Sequence, residues 1–183
     1  EIYIQKNPGI RSGYKEIWPL LRGDYVLTFS PDGNSPPDRL ADMIHAANSG
    51  YDMVIGSRYL PPAISHDDDI ITAFGNRLFT MTVNLLFAAK YTDVMVLYRI
   101  FRKSLVEETD LLEDRPYKFV EQLYRTKISF EPLLSARVAK YGYSYSEIPV
   151  DEPRRIGGVR KLQVLRWGLA YYSQFFLERI SLL

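Results

Sequence analysis

The sequence predicts an α/β fold, and three neighbouring observations carry that expectation. Residues 25–29 form a short apolar run of β-branched and aromatic residues that stops at Pro31 and Gly33, the pattern of a buried strand running into a turn. Leu40, Met43, Ile44 and Ala47 then recur at helical spacing. A second apolar strand follows at residues 52–55. The order strand, turn, helix, strand places Asp32 and Asn34 at a strand's carboxyl end, where open α/β sheets hold ligands.

Composition sets the bounds. A chain of 183 residues is one domain by the usual size rule, and its 46% hydrophobic and 25% charged residues suit a folded globular protein rather than a disordered one. The formal net charge of +1 gives no overall attraction to nucleic acid, so none is expected as a partner. The absence of cysteine excludes disulfides and thiolate metal sites and is compatible with a cytosolic setting. No initiator Met, basic leader or apolar signal opens the chain, so no secretory leader is expected.

The remaining elements follow in order. Residues 1–4 read as a short strand and Lys6-Asn7-Pro8-Gly9 as a loop, after which Ser12 can cap a helix running to about Leu21. Asp38 can cap the helix that begins at Arg39, whose His45 lies off the apolar face as a surface residue. The strand at 52–55 runs into Gly56-Ser57-Arg58-Tyr59, where an arginine beside the acidic turn makes a fork for phosphate oxygens. Asp67, Asp68 and Asp69 lead into a long apolar segment, 70–89, with too many polar residues to span a bilayer. These acids either cap that helix or supply a carboxylate to the turn at Ser30, and different members of the triplet can do each.

Tyr91-Thr92-Asp93 closes that helix, and the charged segment 108–118 reads as an exposed connector. A helix is expected from residue 129 to about Tyr141, with Pro132 in its first turn, then an alternating strand over 143–150. Residues 151–162 form a basic, Gly-rich loop containing Arg155, Gly158 and Lys161, a composition suited to closing over a diphosphate or to a solvated turn. The last helix, 162–183, has a stripe of Trp167, Tyr171, Tyr172, Phe175, Phe176 and Ile180. That stripe suits a bilayer interface, the body of the domain or a dimer contact.

Four of these motifs, in this order, resemble the family 2 glycosyltransferases, especially the polyprenyl-phosphate sugar transferases: the turn Ser30-Pro31-Asp32-Gly33-Asn34, the run Gly56-Ser57-Arg58-Tyr59, Thr92-Asp93 followed by Arg99, and the basic loop. The family writes its turn as Asp-x-Asp, and here Ser30 stands at the first position. The resemblance implies a nucleotide-diphospho-sugar transferase (GT-A type) Rossmann-like sheet with flanking helices, N-terminally incomplete because two further strands that hold the nucleotide base are expected upstream. It divides the chain into a partial catalytic domain, 1–161, and a C-terminal helix, 162–183.

The implied chemistry is transfer of a sugar, with inversion, from a nucleotide-sugar donor to a polyprenyl-phosphate or glycan acceptor. The resemblance assigns Mg²⁺ or Mn²⁺ to Asp32 and Asn34, phosphate contacts to Arg58, Arg99, Arg155 and Lys161, and candidate base roles to Asp93 and Glu131. Arg11 and Lys15 either approach the donor phosphates or are surface charges. Asp93 can instead pair with Arg99, and Glu131 can cap its own helix. A cytoplasmic location, peripheral at the inner membrane face, and a homo-oligomer are further expectations. The rival reading is a catalytically degenerate domain that binds a ligand or partner without turnover, supported by Ser30 and the absent base-binding region.

Overall fold

The computed structural model describes residues 2–154, 156 and 164–181. Its elements are α1 (Ile10–Ile17), β1 (Tyr25–Thr28), α2 (Leu40–Asn48), β2 (Met53–Ser57), α3 (Ile70–Phe87), β3 (Arg99–Arg102), α4 (Lys103–Glu108), α5 (Arg115–Tyr124), α6 (Glu131–Tyr141), β4 (Tyr145–Pro149) and α7 (Val164–Ile180). Together they make a mixed α/β fold around a four-stranded sheet of order β1-β3-β2-β4. β3 runs antiparallel to both neighbours, pairing Val26 with Phe101 and Val54 with Ile100, whereas β2 and β4 are parallel, with Gly56 opposite Ile148.

β2 is the centre. All five of its residues are buried, as expected for an apolar run with strands on both sides and helices on both faces. Gly56 faces α2, where a Cβ would come within 3.0 Å of Val150 and 3.1 Å of Tyr98, so close packing there requires glycine. Met53 points to the other face, against the Arg99 guanidinium, which reaches α6. The sheet therefore lies between α2 and α6. Phe101 extends the core by stacking on Trp18 at 6.5 Å and meeting Phe130 edge-on at 6.1 Å.

Several local expectations need correction. β1 is an edge strand, so Thr28 is buried while Tyr25, Leu27 and Phe29 on the alternate positions stay exposed, in place of the buried strand expected. Residues 2–4 form no strand. α1 is entered from Gly9 with Ser12 inside it, and it ends at Ile17 in a 3₁₀ turn over Trp18–Leu20. Asp38 falls within a 3₁₀ turn, Pro37–Arg39, and makes no side-chain cap to α2. The 108–118 connector contains buried Leu111 and Tyr117 and the start of α5, which its high charge conceals.

The longest helix also departs from expectation. α3 has 18 residues with mean hydropathy 1.3, long and apolar enough by length and composition to cross a membrane, because its polar residues include only one charge, Arg77. α7 packs on α3, α5 and α6, burying Tyr171 and Phe175, with its Trp167 indole donating to Thr126 Oγ1 at 2.6 Å.

Candidate active site

The acidic turn is built by its own side chains. Asp32 Oδ1 accepts from the Ser30 hydroxyl at 2.7 Å and from the Asn34 backbone N–H at 3.2 Å, an Asx-type turn in which Gly33 supplies φ 90°. Ser30 thus acts as a neutral donor that orients Asp32. The Asn34 amide donates to Asp67 at 3.2 Å and to Glu152 at 3.5 Å, while its Oδ1 is buried with no hydrogen-bond partner among the described residues. Asp69 caps α3 by accepting from the Thr72 N–H at 2.7 Å, so the triplet divides its duties between cap and turn.

Arg58 follows directly from β2, where the Ser57 hydroxyl accepts the N–H groups of Tyr59 and Leu60 and turns the chain. Its guanidinium is held by Asp93, Nε to Oδ2 at 2.7 Å and Nη2 to Oδ1 at 3.1 Å, and by Glu152 at 3.3 Å, with Asp68 at 3.9 Å. Burial works against its charge, but Asp93 and then Glu152 more than offset this and hold its pKa well above the ordinary value. The sequence offered no signal for Glu152 beyond its place at the start of the 151–162 loop. Burial raises its pKa despite Arg58 and the Ser65 hydroxyl that donates to it.

Asp93 is wholly buried and also accepts from the backbone N–H groups of Met95 and Val96, each at 3.2 Å. Its hydrogen bonds make it a joint between Arg58 and the 94–98 loop. Glu147 of β4 fixes the same bend by accepting from Thr92 N at 2.8 Å and Asp93 N at 3.1 Å, and burial raises its pKa.

Arg99 takes a different place from the one expected. It has no exposed surface and donates to Val96 O at 3.0 Å, Glu131 O at 3.1 Å and Ser135 Oγ at 2.9 Å, bracing the loop against α6 rather than facing a cavity or pairing with Asp93. Glu131 opens α6 without capping it through its side chain. Its carboxylate is buried, and Oε1 has no hydrogen-bond partner among the described residues. Arg11 is buried too, 2.8 Å from Glu121 and 3.9 Å over the Tyr117 ring, and Lys15 meets Asp114 at 2.7 Å. Both line a separate cavity of about 520 Å³ near Trp167.

Two cavities meet at Arg58. A small one, about 140 Å³, lies beside the acidic turn and is lined by Ser30, Asn34 and Glu152. A cleft of about 1050 Å³ runs along α3, lined by Tyr59, Phe74 and Met81. Arg58 lines both. The Ile156 N–H donates to Asp32 O at 2.9 Å, tying the basic loop's beginning to the acidic turn. Arg155 and Lys161 lie outside the described residues. Among the described residues no group of three or more His, Cys, Asp or Glu side chains is placed to hold a metal ion.

No family model matches the chain. Among curated proteins it is 26% identical to a polyprenol monophosphomannose synthase of Mycolicibacterium smegmatis, over 83% of this chain and 58% of that protein. It is 24% identical to an undecaprenyl-phosphate 4-deoxy-4-formamido-L-arabinose transferase of Yersinia pestis, over 90% of this chain and 44% of that protein. The transferase of the same name from Pseudomonas fluorescens is 22% identical, over 90% of this chain and 42% of its own length. The chain spans about half the length of the curated relatives it matches. At low identity, but over most of its length, it resembles the polyprenyl-phosphate sugar transferases of glycosyltransferase family 2.

Proposed function

We propose that this chain is part of a GT-A-type glycosyltransferase that moves a sugar from a nucleotide-diphosphate donor to a polyprenyl phosphate. The observation that carries the reading is the position of Arg58 between a small cavity at the acidic turn and a long, largely apolar cleft along α3. The turn suits the diphosphate end of a donor, and the cleft suits a phosphate attached to a hydrocarbon chain. Both would present anionic oxygens to one guanidinium, which remains protonated throughout the physiological range.

In this reading an acceptor phosphate oxygen attacks the anomeric carbon from the face opposite the leaving group. The C–O bond to the nucleotide diphosphate breaks, the diphosphate departs with the electron pair, and the configuration inverts. The acceptor oxygen is already anionic at neutral pH, so no general base is required. Asp93 accordingly serves to hold Arg58 in place, and Arg99 to hold the 94–98 loop. Arg155 and Lys161 are proposed to approach the diphosphate from the basic loop, whose beginning is tied to Asp32.

The donor set at the turn fits a hard divalent cation. Asp32 and Asn34 offer oxygen ligands only, and the buried, unpartnered Oδ1 of Asn34 is an acceptor awaiting a partner. Mg²⁺ or Mn²⁺ held there would neutralise charge on the departing diphosphate, with phosphate oxygens and water completing its coordination.

Calorimetric titration of nucleoside diphosphates with Mn²⁺ tests the donor side, and sugar transfer to a short isoprenyl phosphate tests the acceptor side. Asp32→Ala should abolish the Mn²⁺-dependent part of nucleotide binding. Arg58→Ala should weaken both ligands, and unchanged affinity for both would remove the basis of the assignment. The rival binding-module reading draws on Ser30 standing where the family's turn has an acid. It predicts nucleotide binding with no transfer.

A further inference from the structure

Glu152 joins three segments that the chain order keeps apart. Its backbone N–H donates to Ile64 O at 3.0 Å and its carbonyl accepts from the His66 N–H at 2.8 Å, so the main chain is fixed beside Ser65. The side chain is buried, and the Ser65 hydroxyl donates to Oε2. Oε1 lies 3.3 Å from Arg58 Nη1 and 3.5 Å from Asn34 Nδ2. Ser30, Asn34, Arg58 and Glu152 all line the cavity of about 140 Å³ at the acidic turn.

Pairing with Arg58 does not explain this placement. Asp93 already takes Nε and Nη2 of the guanidinium at 2.7 and 3.1 Å, whereas Glu152 meets Nη1 with its two oxygens at 3.3 and 3.4 Å. A charge-assisted contact that holds a carboxylate in place closes to about 2.7–2.9 Å. The cavity gives an independent sign of a ligand. Asn34 Oδ1 and the hydroxyl of Tyr98, a side chain only 2% exposed, are both buried without a hydrogen-bond partner among the described residues, and both residues line this cavity. Each unpaired buried group costs about 1–3 kcal/mol. An ion bound to the amide oxygen, with water on that ion donating to the phenol, removes both costs. The space admits an ion together with oxygen ligands, since one water occupies roughly 30 Å³.

We propose that Glu152 is a ligand of the divalent cation at the acidic turn, supplying a second carboxylate where Ser30 offers only a neutral hydroxyl. The inference rests on the reading of Asp32 and Asn34 as cation ligands, and it adds a residue 118 positions beyond Asn34 in the chain. Two carboxylates and an amide oxygen form the hard, all-oxygen set that suits Mg²⁺ or Mn²⁺. Drawn to the ion, the same carboxylate leaves Nη1 of Arg58 to a phosphate oxygen.

Mn²⁺ binding by the 183-residue chain, read from the electron spin resonance of the free ion with and without a nucleoside diphosphate, tests this. Glu152→Gln should weaken Mn²⁺ by roughly tenfold or more, since even groups that only orient metal ligands are worth roughly ten- to a hundredfold in affinity. Glu147→Gln removes a buried carboxylate that accepts from Thr92 and Asp93 instead, and it should leave the affinity unchanged. Equal losses in the two variants would overturn the proposal, being the mark of a general loss of negative charge. So would wild-type affinity in Glu152→Gln; if Asp32→Ala abolishes Mn²⁺ binding in the same assay, the turn keeps its proposed role and Glu152 alone is excluded. No Mn²⁺ binding by the wild-type chain under either condition would remove the metal reading and this inference with it. If circular dichroism shows that Glu152→Gln does not fold, Glu152→Asp takes its place: a carboxylate drawn back by one methylene should still weaken Mn²⁺ binding, and undiminished affinity would overturn the proposal.

Discussion

Asp93 and Arg58 meet in a two-point pair, and the same carboxylate receives the backbone N–H groups of Met95 and Val96. One residue thereby locks the end of β2 to the loop that enters β3. Asp93→Asn should cost on the order of 3 kcal/mol in urea denaturation, because it leaves the buried guanidinium short of its main counter-charge. A loss below about 1 kcal/mol would show that Glu152 alone suffices to hold Arg58.

Arg99 gives a complementary prediction about geometry rather than charge. Its planar fork serves acceptors on the 94–98 loop and on α6 at once, and an ammonium cannot reach them all. Arg99→Lys should therefore destabilise the chain by roughly 3 kcal/mol, leaving buried acceptors unpaired. Equal stability of the two forms, measured by thermal unfolding, would show that the loop needs only a positive charge there.

The difference between those two arginines also marks the limit of what the sequence discloses. β2, β4 and α6 were legible because their apolar runs, alternation and Pro132 act locally. The acidic turn was legible for the same reason, Pro31 and Gly33 admitting little else. Arg58 and Arg99 both lie at strand ends near acids, and nothing local separates the one that lines two cavities from the one sealed in the core. That distinction depends on where α6 crosses the sheet. Glu152 was missed for a like reason, since its partners Arg58, Asn34 and Ser65 are distant in sequence, and β3 was left unassigned because its Arg-Ile-Phe-Arg run mixes charge with apolar residues.

Glu147 should impose a recognisable pH dependence. Burial raises its pKa above the ordinary 4.5, even though Thr92 and Asp93 donate to it. Between the unfolded value and the higher folded one, the native state binds more protons than the unfolded state, so its contribution to stability falls as pH rises through that window. Relative to Glu147→Gln, the wild-type chain should lose stability from about pH 4.5 upward. Urea midpoints taken across pH 4–7 would reveal it, and a constant difference would show that the carboxyl does not titrate there.

Gly33 and Gly50 provide a matched pair. Both have positive φ, 90° and 101°, but a Cβ on Gly33 would come within 2.8 Å of the Ile156 side chain, whereas nothing lies within 4 Å of one on Gly50. Either alanine substitution should cost about 1–2 kcal/mol from backbone conformation alone. Gly33→Ala should lower the melting temperature further and loosen the contact between the acidic turn and residue 156. Equal shifts for the two variants would mean that Ile156 yields without cost.

Among the described residues β1 is paired on one side only, and its exposed positions carry Tyr25 and Leu27, with Phe29 just beyond. Such an edge is a template: a row of backbone donors and acceptors, flanked by apolar side chains, is open to any other extended chain. The colloidal behaviour of the isolated polypeptide is thus written into the four residues of β1. Its shelf life at high concentration would be governed by strand-to-strand recruitment, and a lysine at Leu27, pointing outward from that border, would act as a gatekeeper without touching the chemistry.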